Sequence, residues 1–302
     1  MDNHSSLRRS KIVLGLWPLS GDFGPTKLSN YENVIKFALD NGIRTFDTAP
    51  NYGNGFSESA LGLILQGEKD INFNTKFGSL PFGKKDFSIE MLKKSFEESL
   101  IRLKTSRINT IFLHNPRTEI NSFNKVSNFM NDLKNQNLIN KTGISLAKGF
   151  SYQDISCFES FQMDINILYL KDLNKYFNNE TNIFGRSPLA SGILSGNLSY
   201  NRKFHPSDYR YSWLKGERLD SIMKRINIIE NNFPKFKLKS LSRRFLFDNL
   251  KINNIIFGVK NVDQIKDILD DADKEELNLE ITSEIIKLEK NNFNLAGDNL
   301  GF

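Results

Sequence analysis

Short apolar runs alternate with amphipathic stretches along most of the chain. Segment 108–113 is almost continuously apolar, which is typical of a parallel strand buried on both faces. Segment 88–103 instead places Leu92, Phe96 and Leu103 on one helical face, opposite charged side chains. The pattern predicts strands over 12–17, 43–47, 71–77, 108–113, 142–146, 161–169, 182–187 and 252–259, and helices over 29–41, 57–66, 88–103, 123–133, 152–158, 171–177, 219–231, 238–249, from 261, and over 281–290.

Polar residues mark several of the predicted helix starts. Ser29 with Glu32, and Asn261 with Gln264, have the spacing of a capping box. Ser57 also precedes an apolar stripe of helical period. We therefore expect helices to begin at these positions.

About eight alternations of strand and helix force the strands to run parallel, because each helix returns the chain to the same edge of the sheet. The predicted fold is an α/β protein with a (β/α)8 TIM barrel, and a doubly wound open sheet is the alternative. Asp47, Tyr52, Lys76 and His114 lie at or just past the C-terminal ends of successive predicted strands, which favours the closed barrel. No glycine-rich GxGxxG turn follows the first strand, which argues against a doubly wound dinucleotide-binding sheet.

The domain organisation is simple. No linker composition interrupts the alternation, so we expect one domain over residues 1–302, with residues 1–10 as a flexible tail. Segment 188–218 lacks steady periodicity and contains several glycines. A long irregular loop of this kind is more often functional than accidental.

The composition and charge of the chain argue against several classes of function. The net charge is +6, from 41 basic and 35 acidic residues, and no basic block indicates a nucleic-acid surface. The only cysteine is Cys157, which excludes an intramolecular disulfide, and the three histidines are too isolated in sequence to predict a metal site. The first residues are polar and lead into no signal peptide or anchor, so we expect a cytoplasmic protein that does not bind membranes. The oligomeric state is left open.

The four strand-end side chains can move a proton. A tyrosine phenol has a reference pKa near ~10, and we expect the Lys76 ammonium to lower the pKa of Tyr52. Asp47 would pair with Lys76, and His114 would hydrogen-bond the substrate oxygen. Such a site protonates an oxygen while another group attacks the carbon. With no nucleophile or metal indicated, the natural partner is a hydride donor.

Three motifs carry a family resemblance over essentially the whole chain. Segment 42–62, which contains Asp47 and Tyr52, resembles the signature of the aldo-keto reductases. Thr75-Lys76-Phe77-Gly78 resembles their catalytic lysine strand, and Leu113-His114-Asn115-Pro116 resembles the segment with the active-site histidine. The resemblance implies that Asp47, Tyr52, Lys76 and His114 are the catalytic residues.

The same resemblance implies a nicotinamide cofactor, NADP(H), with NAD(H) not excluded. Lys260 favours the 2′-phosphate, whereas Gln264 stands where many NADP-specific members have arginine. Leu146 replaces the usual asparagine beside Ser145, and Arg186 replaces the tyrosine that many members stack on the nicotinamide. The implied cofactor-binding residues are Ser145, Gln162, Arg186, Ser187, Leu189, Gly192, Gly258, Lys260 and Gln264.

The implied activity is reduction of an aldehyde or ketone, with a sugar-derived carbonyl as one option. Trp17 and Asn115 are the expected substrate-binding residues, with Phe23, Phe77 and the tail 294–302 as further candidates. Asp208-Tyr209-Arg210 resembles an Asp-His-Arg element of one branch of the family, or forms a structural salt-bridged turn. The alternative function is a regulatory or sensor protein that binds NADP(H) on the same fold. A metal-dependent barrel hydrolase is disfavoured because no carboxylate and histidine cluster is visible in the sequence.

Overall fold

Eight parallel strands close into a barrel in sequence order, and the last strand pairs with the first. The computed structural model describes residues 3–117, 123–149, 151–152 and 155–298. This closure confirms the (β/α)8 prediction over the open sheet. The strands are β1 Ile12–Gly15, β2 Thr45–Asp47, β3 Asn72–Phe77, β4 Ile108–His114, β5 Ile139–Ser145, β6 Ser160–Asp164, β7 Asn182–Arg186 and β8 Asn254–Gly258.

Helices surround the barrel. Helix α4 has its Ser88 Oγ accepting the Met91 N–H at the start, and it buries Leu92 and Phe96 against the sheet. The helices are α1 Asn3–Ser10, α2 Leu28–Asp40, α3 Phe56–Ile64, α4 Ile89–Leu103, α5 Phe123–Asn135, α6 Lys171–Tyr176, α7 Gly216–Asn232, α8 Leu238–Asp248, α9 Val262–Ala272 and α10 Leu279–Lys290.

The helix starts differ in part from the predictions. The Asn261 cap is confirmed, because its Oδ1 accepts the Gln264 N–H at 3.1 Å. The Ser29 cap is wrong, since α2 already begins at Leu28 and has no side-chain cap. Ser57 lies inside α3, where its hydroxyl is hydrogen-bonded to Tyr31 instead.

Two further predictions concern less regular segments. The helix predicted over 152–158 falls partly on residues 153–154, which lie outside the described residues, and residues 155–158 are not helical. The irregular segment 188–218 contains two 3₁₀ turns, Ala190–Ser195 and Tyr209–Ser212, before α7 begins. None of the helices in the described part of the chain is long and apolar enough to cross a membrane.

The expectation of a flexible tail over residues 1–10 is wrong for residues 3–10, which form α1. Arg8 in this helix is only 1% exposed. Its guanidinium pairs with the Asp248 carboxylate and donates to the backbone oxygens of Lys274 and Glu275. This polar segment therefore contains a buried ion pair that attaches it to residues 240 to 267 positions away along the chain.

The interior of the barrel is filled directly below the site. Val13, Phe112, Phe184 and Ile256 come from four different strands and pack together. The rings of Phe112 and Phe184 meet edge to face at 5.2 Å. A Cβ atom at Gly143 would lie 2.5 Å from the Phe112 ring, so this layer requires glycine there. The packed layer gives the polar groups above it a rigid floor.

Helix α3 packs closely against the end of α4. A Cβ atom at Gly62 would lie 2.3 Å from the backbone oxygen of Arg102 and 2.6 Å from the carbonyl carbon of Leu103. Beside this contact, the buried Glu58 carboxylate accepts hydrogen bonds from Arg102 Nε at 2.7 Å and from Thr75 at 2.5 Å. The contact therefore ties the helix after β2 to the helix after β3.

We predict that Gly62→Ala lowers the free energy of unfolding by about 1–3 kcal/mol, because an added methyl group meets backbone that cannot rotate away. Ser59→Ala, on the exposed face of the same helix, is the matched control and should change the stability little. Urea unfolding of both variants measures the difference. Equal stability of the two variants would show that the helices do not approach this closely.

Candidate active site

Two strands deliver a buried ion pair to the C-terminal end of the barrel. Asp47 is the last residue of β2, and Lys76 lies beside it near the end of β3. Lys76 Nζ donates to Asp47 Oδ1 at 2.6 Å and to the Thr48 carbonyl oxygen at 2.7 Å. Lys76 is 1% exposed, so its ammonium is held by protein acceptors.

Tyr52 lies over this ion pair. The Lys76 ammonium is 4.9 Å from the centre of its ring, and the His114 ring is 6.1 Å away at an angle of 80°. The turn Tyr52–Gly55 positions the phenol through left-handed residues, including Gly53 with φ of 56°. A Cβ atom at Gly53 would lie 2.7 Å from the Ser20 carbonyl oxygen, so glycine lets this turn pack against the loop after β1.

The pKa of Tyr52 differs from our expectation. Burial raises the pKa of the phenol, and Lys76 acts in the opposite, predicted direction without reversing this effect. Burial lowers the pKa of Lys76, but Asp47 and Tyr52 raise it by more, so the pKa of the ammonium lies above its ordinary value. The site therefore holds a charged ammonium beside a neutral phenol.

His114 is neutral at pH 7. Burial lowers the pKa of its imidazole well below the usual value, and the charges of Lys76, Arg186 and Lys85 act in the same direction. The ring is the last side chain of β4 and is 6% exposed. A neutral imidazole can donate a hydrogen bond without competing with Tyr52 as the acid.

A polar chain connects the ion pair to the predicted cofactor residues. Gln162 Nε2 donates to Asp47 Oδ2 at 2.8 Å, and Ser145 Oγ donates to Gln162 Oε1 at 2.9 Å. Arg186 Nη1 donates in turn to Ser145 Oγ. The structure thus brings Ser145, Gln162 and Arg186 together with Asp47 at the mouth of the barrel.

Arg186 is bound on several sides. It donates to the Leu146 carbonyl oxygen at 2.7 Å and to Asn115 Oδ1 at 3.3 Å, and it forms an ion pair with Asp164 at 2.9 Å. Burial raises the pKa of Asp164, but Arg186 and Lys148 outweigh burial, and the carboxyl stays ionised. The guanidinium is therefore fixed at the position where the resemblance led us to expect a tyrosine in many aldo-keto reductases.

Sequence reasoning did not identify Asp164. The strand was predicted over 161–169, but β6 ends at Asp164, where it pairs in register with Arg186 of β7. Correct placement of the strand end would have added Asp164 to the polar residues at the mouth of the barrel.

A cleft of about 1260 Å³ opens above these residues. Lys76 and Ser145 lie beneath its surface, each almost fully buried. The other predicted site residues line it: Trp17, Asp47, Tyr52, His114, Asn115, Gln162, Arg186, Ser187, Leu189, Gly192, Gly258, Lys260 and Gln264.

Aromatic rings form one wall of the cleft. Trp17 stacks on Tyr52 at 6.1 Å and meets Tyr209 at 5.2 Å. Phe23 pairs with Asp208 in a short β-bridge, which joins the loop after β1 to the loop after β7. Phe77 is buried against the core, and none of the residues 294–298 lines the cleft, so the substrate-binding expectation is not supported for these residues. The rest of the predicted tail, residues 299–302, lies outside the described residues.

Asp208 and Arg210 form the salt-bridged turn, with an Nη2 to Oδ2 distance of 2.7 Å. Arg210 also donates to the Ser191 carbonyl oxygen at 3.2 Å. Tyr209 and Trp213 line the cleft from this loop. The sequence indicated Tyr209 only as part of the Asp208-Tyr209-Arg210 element and did not indicate Trp213, because the segment has no periodicity that would place either ring.

The far end of the cleft is basic. Lys239, Arg243 and Lys260 line it, and Lys239 and Arg243 lie within 4 Å of Asp267. Burial, followed by the charge of Arg210, lowers the pKa of Lys260. A phosphate group would offset the repulsion between Lys260 and Arg210, so the residues present fit the phosphates of a dinucleotide. Gln264 Oε1 accepts the Lys260 N–H at 2.7 Å and so fixes the loop.

A group with metal-binding chemistry lies away from the cleft. Ligand-type atoms of His4, Asp248 and Glu276 lie within 4.8 Å of one another. His4 Nδ1 is 3.0 Å from Glu276. The residues are far apart in sequence, which explains why spacing alone did not indicate them.

Comparison with known proteins agrees with this geometry. The model of the Aldo/keto reductase family matches residues 11–290. L-galactose dehydrogenase of Arabidopsis thaliana is 26% identical over 284 residues, covering 87% of this chain and 84% of that protein. A probable voltage-gated potassium channel subunit beta of the same plant is 21% identical over 295 residues, covering 87% of each chain.

Solved structures show the same fold. The glycerol dehydrogenase of Gluconobacter oxydans superposes with a TM-score of 0.75 at 20% identity, covering 93% of this chain and 91% of that one. The range that matches the family model contains all eight strands, so membership of the family does not depend on any single relative. The chain belongs to the aldo/keto reductase family.

Proposed function

We propose that the protein is an NADP(H)-dependent reductase that converts an aldehyde or ketone to the alcohol. The observation that carries this proposal is the Asp47–Lys76 ion pair beneath Tyr52, with His114 opposite, at the floor of the cleft. Each of these residues lies within the range 11–290 that matches the family model, in a segment that resembles a family motif. The bound nicotinamide cofactor would supply the hydride that reduces the carbonyl carbon.

The protein's own residues supply the proton. Tyr52 Oη donates its proton to the carbonyl oxygen as negative charge develops there, and the Lys76 ammonium stabilises the phenolate that remains. Asp47 and the Thr48 carbonyl oxygen keep Lys76 in place throughout. His114, neutral at pH 7, orients the carbonyl oxygen by hydrogen bonding.

Orientation accounts for most of the expected acceleration. Holding reactants in a productive geometry lowers the barrier by about 7–11 kcal/mol, and positioned proton transfer adds roughly 10² to 10⁴-fold. The packed layer below the site and the hydrogen-bonded chain through Gln162 supply that rigidity.

Cofactor binding is assigned to the residues along the cleft. Gln162, supported by Ser145 beneath it, would hold the nicotinamide end, while Ser187, Leu189 and Gly192 would line the pyrophosphate. Gly258, Lys260 and Gln264 would hold the adenosine end, where Lys239 and Arg243 add positive charge.

The names of relatives suggest a substrate class. The similarity to L-galactose dehydrogenase supports a sugar-derived carbonyl or alcohol. Trp17 and Tyr209 offer aromatic faces on which a sugar ring could stack, and Asn115 offers hydrogen bonds.

A regulatory protein that binds the same cofactor is the second candidate. The similarity to a probable potassium channel subunit beta favours it. The complete set of Asp47, Tyr52, Lys76 and His114 favours the enzyme. Turnover of a carbonyl compound by the purified protein distinguishes the two.

We predict that Tyr52→Phe reduces kcat by roughly 10² to 10⁴-fold, because the acid is lost while the ring remains. Cofactor affinity should stay within about three-fold of the original. Tyr200→Phe, at an exposed position, is the matched control and should retain full activity. Survival of turnover within about ten-fold in Tyr52→Phe would disprove the assignment of the acid.

We predict that kcat, measured at saturating substrate, stays nearly constant from about pH 6 to pH 9. Reduction requires the protonated phenol, and the pKa of Tyr52 is raised above its usual value near ~10, so activity should fall only at higher pH. The raised pKa of Lys76 likewise keeps its ammonium charged in this range. A kcat that already decreases with rising pH before pH 8 is reached would contradict the proposed protonation states.

We predict that NADPH binds at least about ten-fold more tightly than NADH, because three basic side chains face the adenosine end of the cleft. Lys239→Gln should weaken NADPH binding and leave NADH binding nearly unchanged. Fluorescence titration measures both affinities. Equal affinities in the original protein would favour an NAD(H)-dependent or non-selective protein.

A further inference from the structure

The cleft has more positive than negative charge. Among the described residues that line it, nine are lysine or arginine and five are aspartate. Four of these carboxylates have a cationic partner within 4 Å: Asp47 with Lys76, Asp164 with Arg186, Asp208 with Arg210, and Asp267 with Lys239. The excess of positive charge suits an anionic ligand.

Six of the nine basic residues form two groups along the cleft. Lys239, Arg243 and Lys260 lie at the end assigned above to the cofactor phosphates. Arg117, Lys148 and Arg218 also line the cleft but have no role in the proposed reaction or in cofactor binding. We call these three residues the basic rim.

Lys148 belongs to the catalytic end of the cleft. It follows β5 three residues after Ser145, and its Nζ lies 4.6 Å from the centre of the Tyr169 ring. Its charge interacts with Asp164 and Arg186, which form the ion pair at the mouth of the barrel. A ligand beside Lys148 would therefore lie close to the polar groups that surround the reaction site.

Arg218 lines the same cleft from helix α7. It lies in the first turn of α7, and its charge acts on both Lys148 and Tyr209. Tyr209 packs at 5.2 Å against Trp17, which stacks on Tyr52. Because its charge acts on Tyr209, Arg218 lies near the aromatic wall of the cleft that leads to Tyr52.

Arg117 completes the rim from the loop after β4. It is exposed and lies three residues beyond His114. Its charge acts on Lys85, whose Nζ donates to the Asn115 carbonyl oxygen at 3.2 Å. The charge of Lys85 also acts on His114, so positive charge extends from the rim to the reaction site.

We propose that the substrate carries an anionic group, a carboxylate or a phosphate, that binds between Lys148 and Arg218 with Arg117 at the edge. The carbonyl oxygen of the same molecule would lie at Tyr52 and His114. This inference rests on the proposed carbonyl reduction and narrows its substrate class. Lysine and arginine bind both kinds of anion through short, charge-assisted hydrogen bonds.

The environment of Lys148 supports the proposal. Burial lowers the pKa of Lys148 to about 8. An anion beside the ammonium would raise this pKa and keep the side chain charged. The charged and titratable groups around Lys148 are Asp164, Asp172, Tyr169, Arg186 and Arg218. Anion affinity should therefore fall as the pH rises from about 7 to about 9, since Lys148 then loses its proton.

Binding can be measured without turnover. The two tryptophans of the chain, Trp17 and Trp213, both line the cleft, so their fluorescence reports on ligands there. Succinate is compared with butane-1,4-diol, and glycerol 3-phosphate with glycerol, at saturating NADP⁺. We expect at least one anion to bind about ten-fold more tightly than its neutral partner. The anion that binds more tightly, succinate or glycerol 3-phosphate, shows whether carboxylate or phosphate is the preferred group.

Matched variants locate the bound anion. Lys148→Gln should weaken its binding about ten-fold and abolish the dependence on pH, while Lys148→Arg should retain most of the affinity. Lys251→Gln removes an exposed lysine beside the start of β8, at the opposite end of the barrel, and should have no effect. If affinity falls in Lys239→Gln but not in Lys148→Gln, the anion binds at the cofactor end and the proposal is wrong.

Turnover separates this proposal from the proposed function. Succinic semialdehyde and butanal are compared as substrates, and we expect a kcat/KM at least about ten-fold higher for the anion. Equal kcat/KM values that Lys148→Gln leaves unchanged would overturn the anionic substrate but leave the reductase standing. Anion binding at Lys148 without any turnover would overturn the reductase and retain the anion site.

Discussion

The ion pair between Lys76 and Asp47 is the interaction on which the site depends. Two charges removed from water cost several kcal/mol each unless protein groups replace the lost hydration. Here the Thr48 carbonyl oxygen accepts from Lys76, and Gln162 donates to the second oxygen of Asp47. The pair therefore requires β2, β3 and β6 to meet at one end of the barrel, a requirement that closure of the sheet satisfies.

The ion pair also connects the chemistry to the cleft. Through Gln162 and Ser145, hydrogen bonds run from Asp47 to Arg186, and from there to Asp164. The same polar chain explains how the fold accommodates the buried Arg186: its charge is paired with Asp164, and its guanidinium also donates to the Leu146 carbonyl oxygen.

Much of this architecture could be predicted from local patterns. The alternation of apolar strands and amphipathic helices indicated the barrel, and the residues at strand ends indicated Asp47, Lys76 and His114. Interactions between distant segments could not be predicted in this way. The burial of Arg8 against Asp248, the pairing of Asp164 with Arg186 and the aromatic contacts of Tyr209 all join segments that have no shared period. The net pKa of Tyr52 also depends on burial, which the sequence does not specify.

The central claim is that the Lys76 ammonium acts directly on the Tyr52 phenol. The most direct test is a pH titration of the protein labelled with ¹³C at the tyrosine ring carbon that bears the hydroxyl, with Tyr52→Phe used to assign the signal. We expect the pKa of Tyr52 to lie above the usual value near ~10 and to rise further in Lys76→Met, because Lys76 opposes the effect of burial more than Arg186 does. An unchanged pKa of Tyr52 in a folded Lys76→Met variant would contradict the claim.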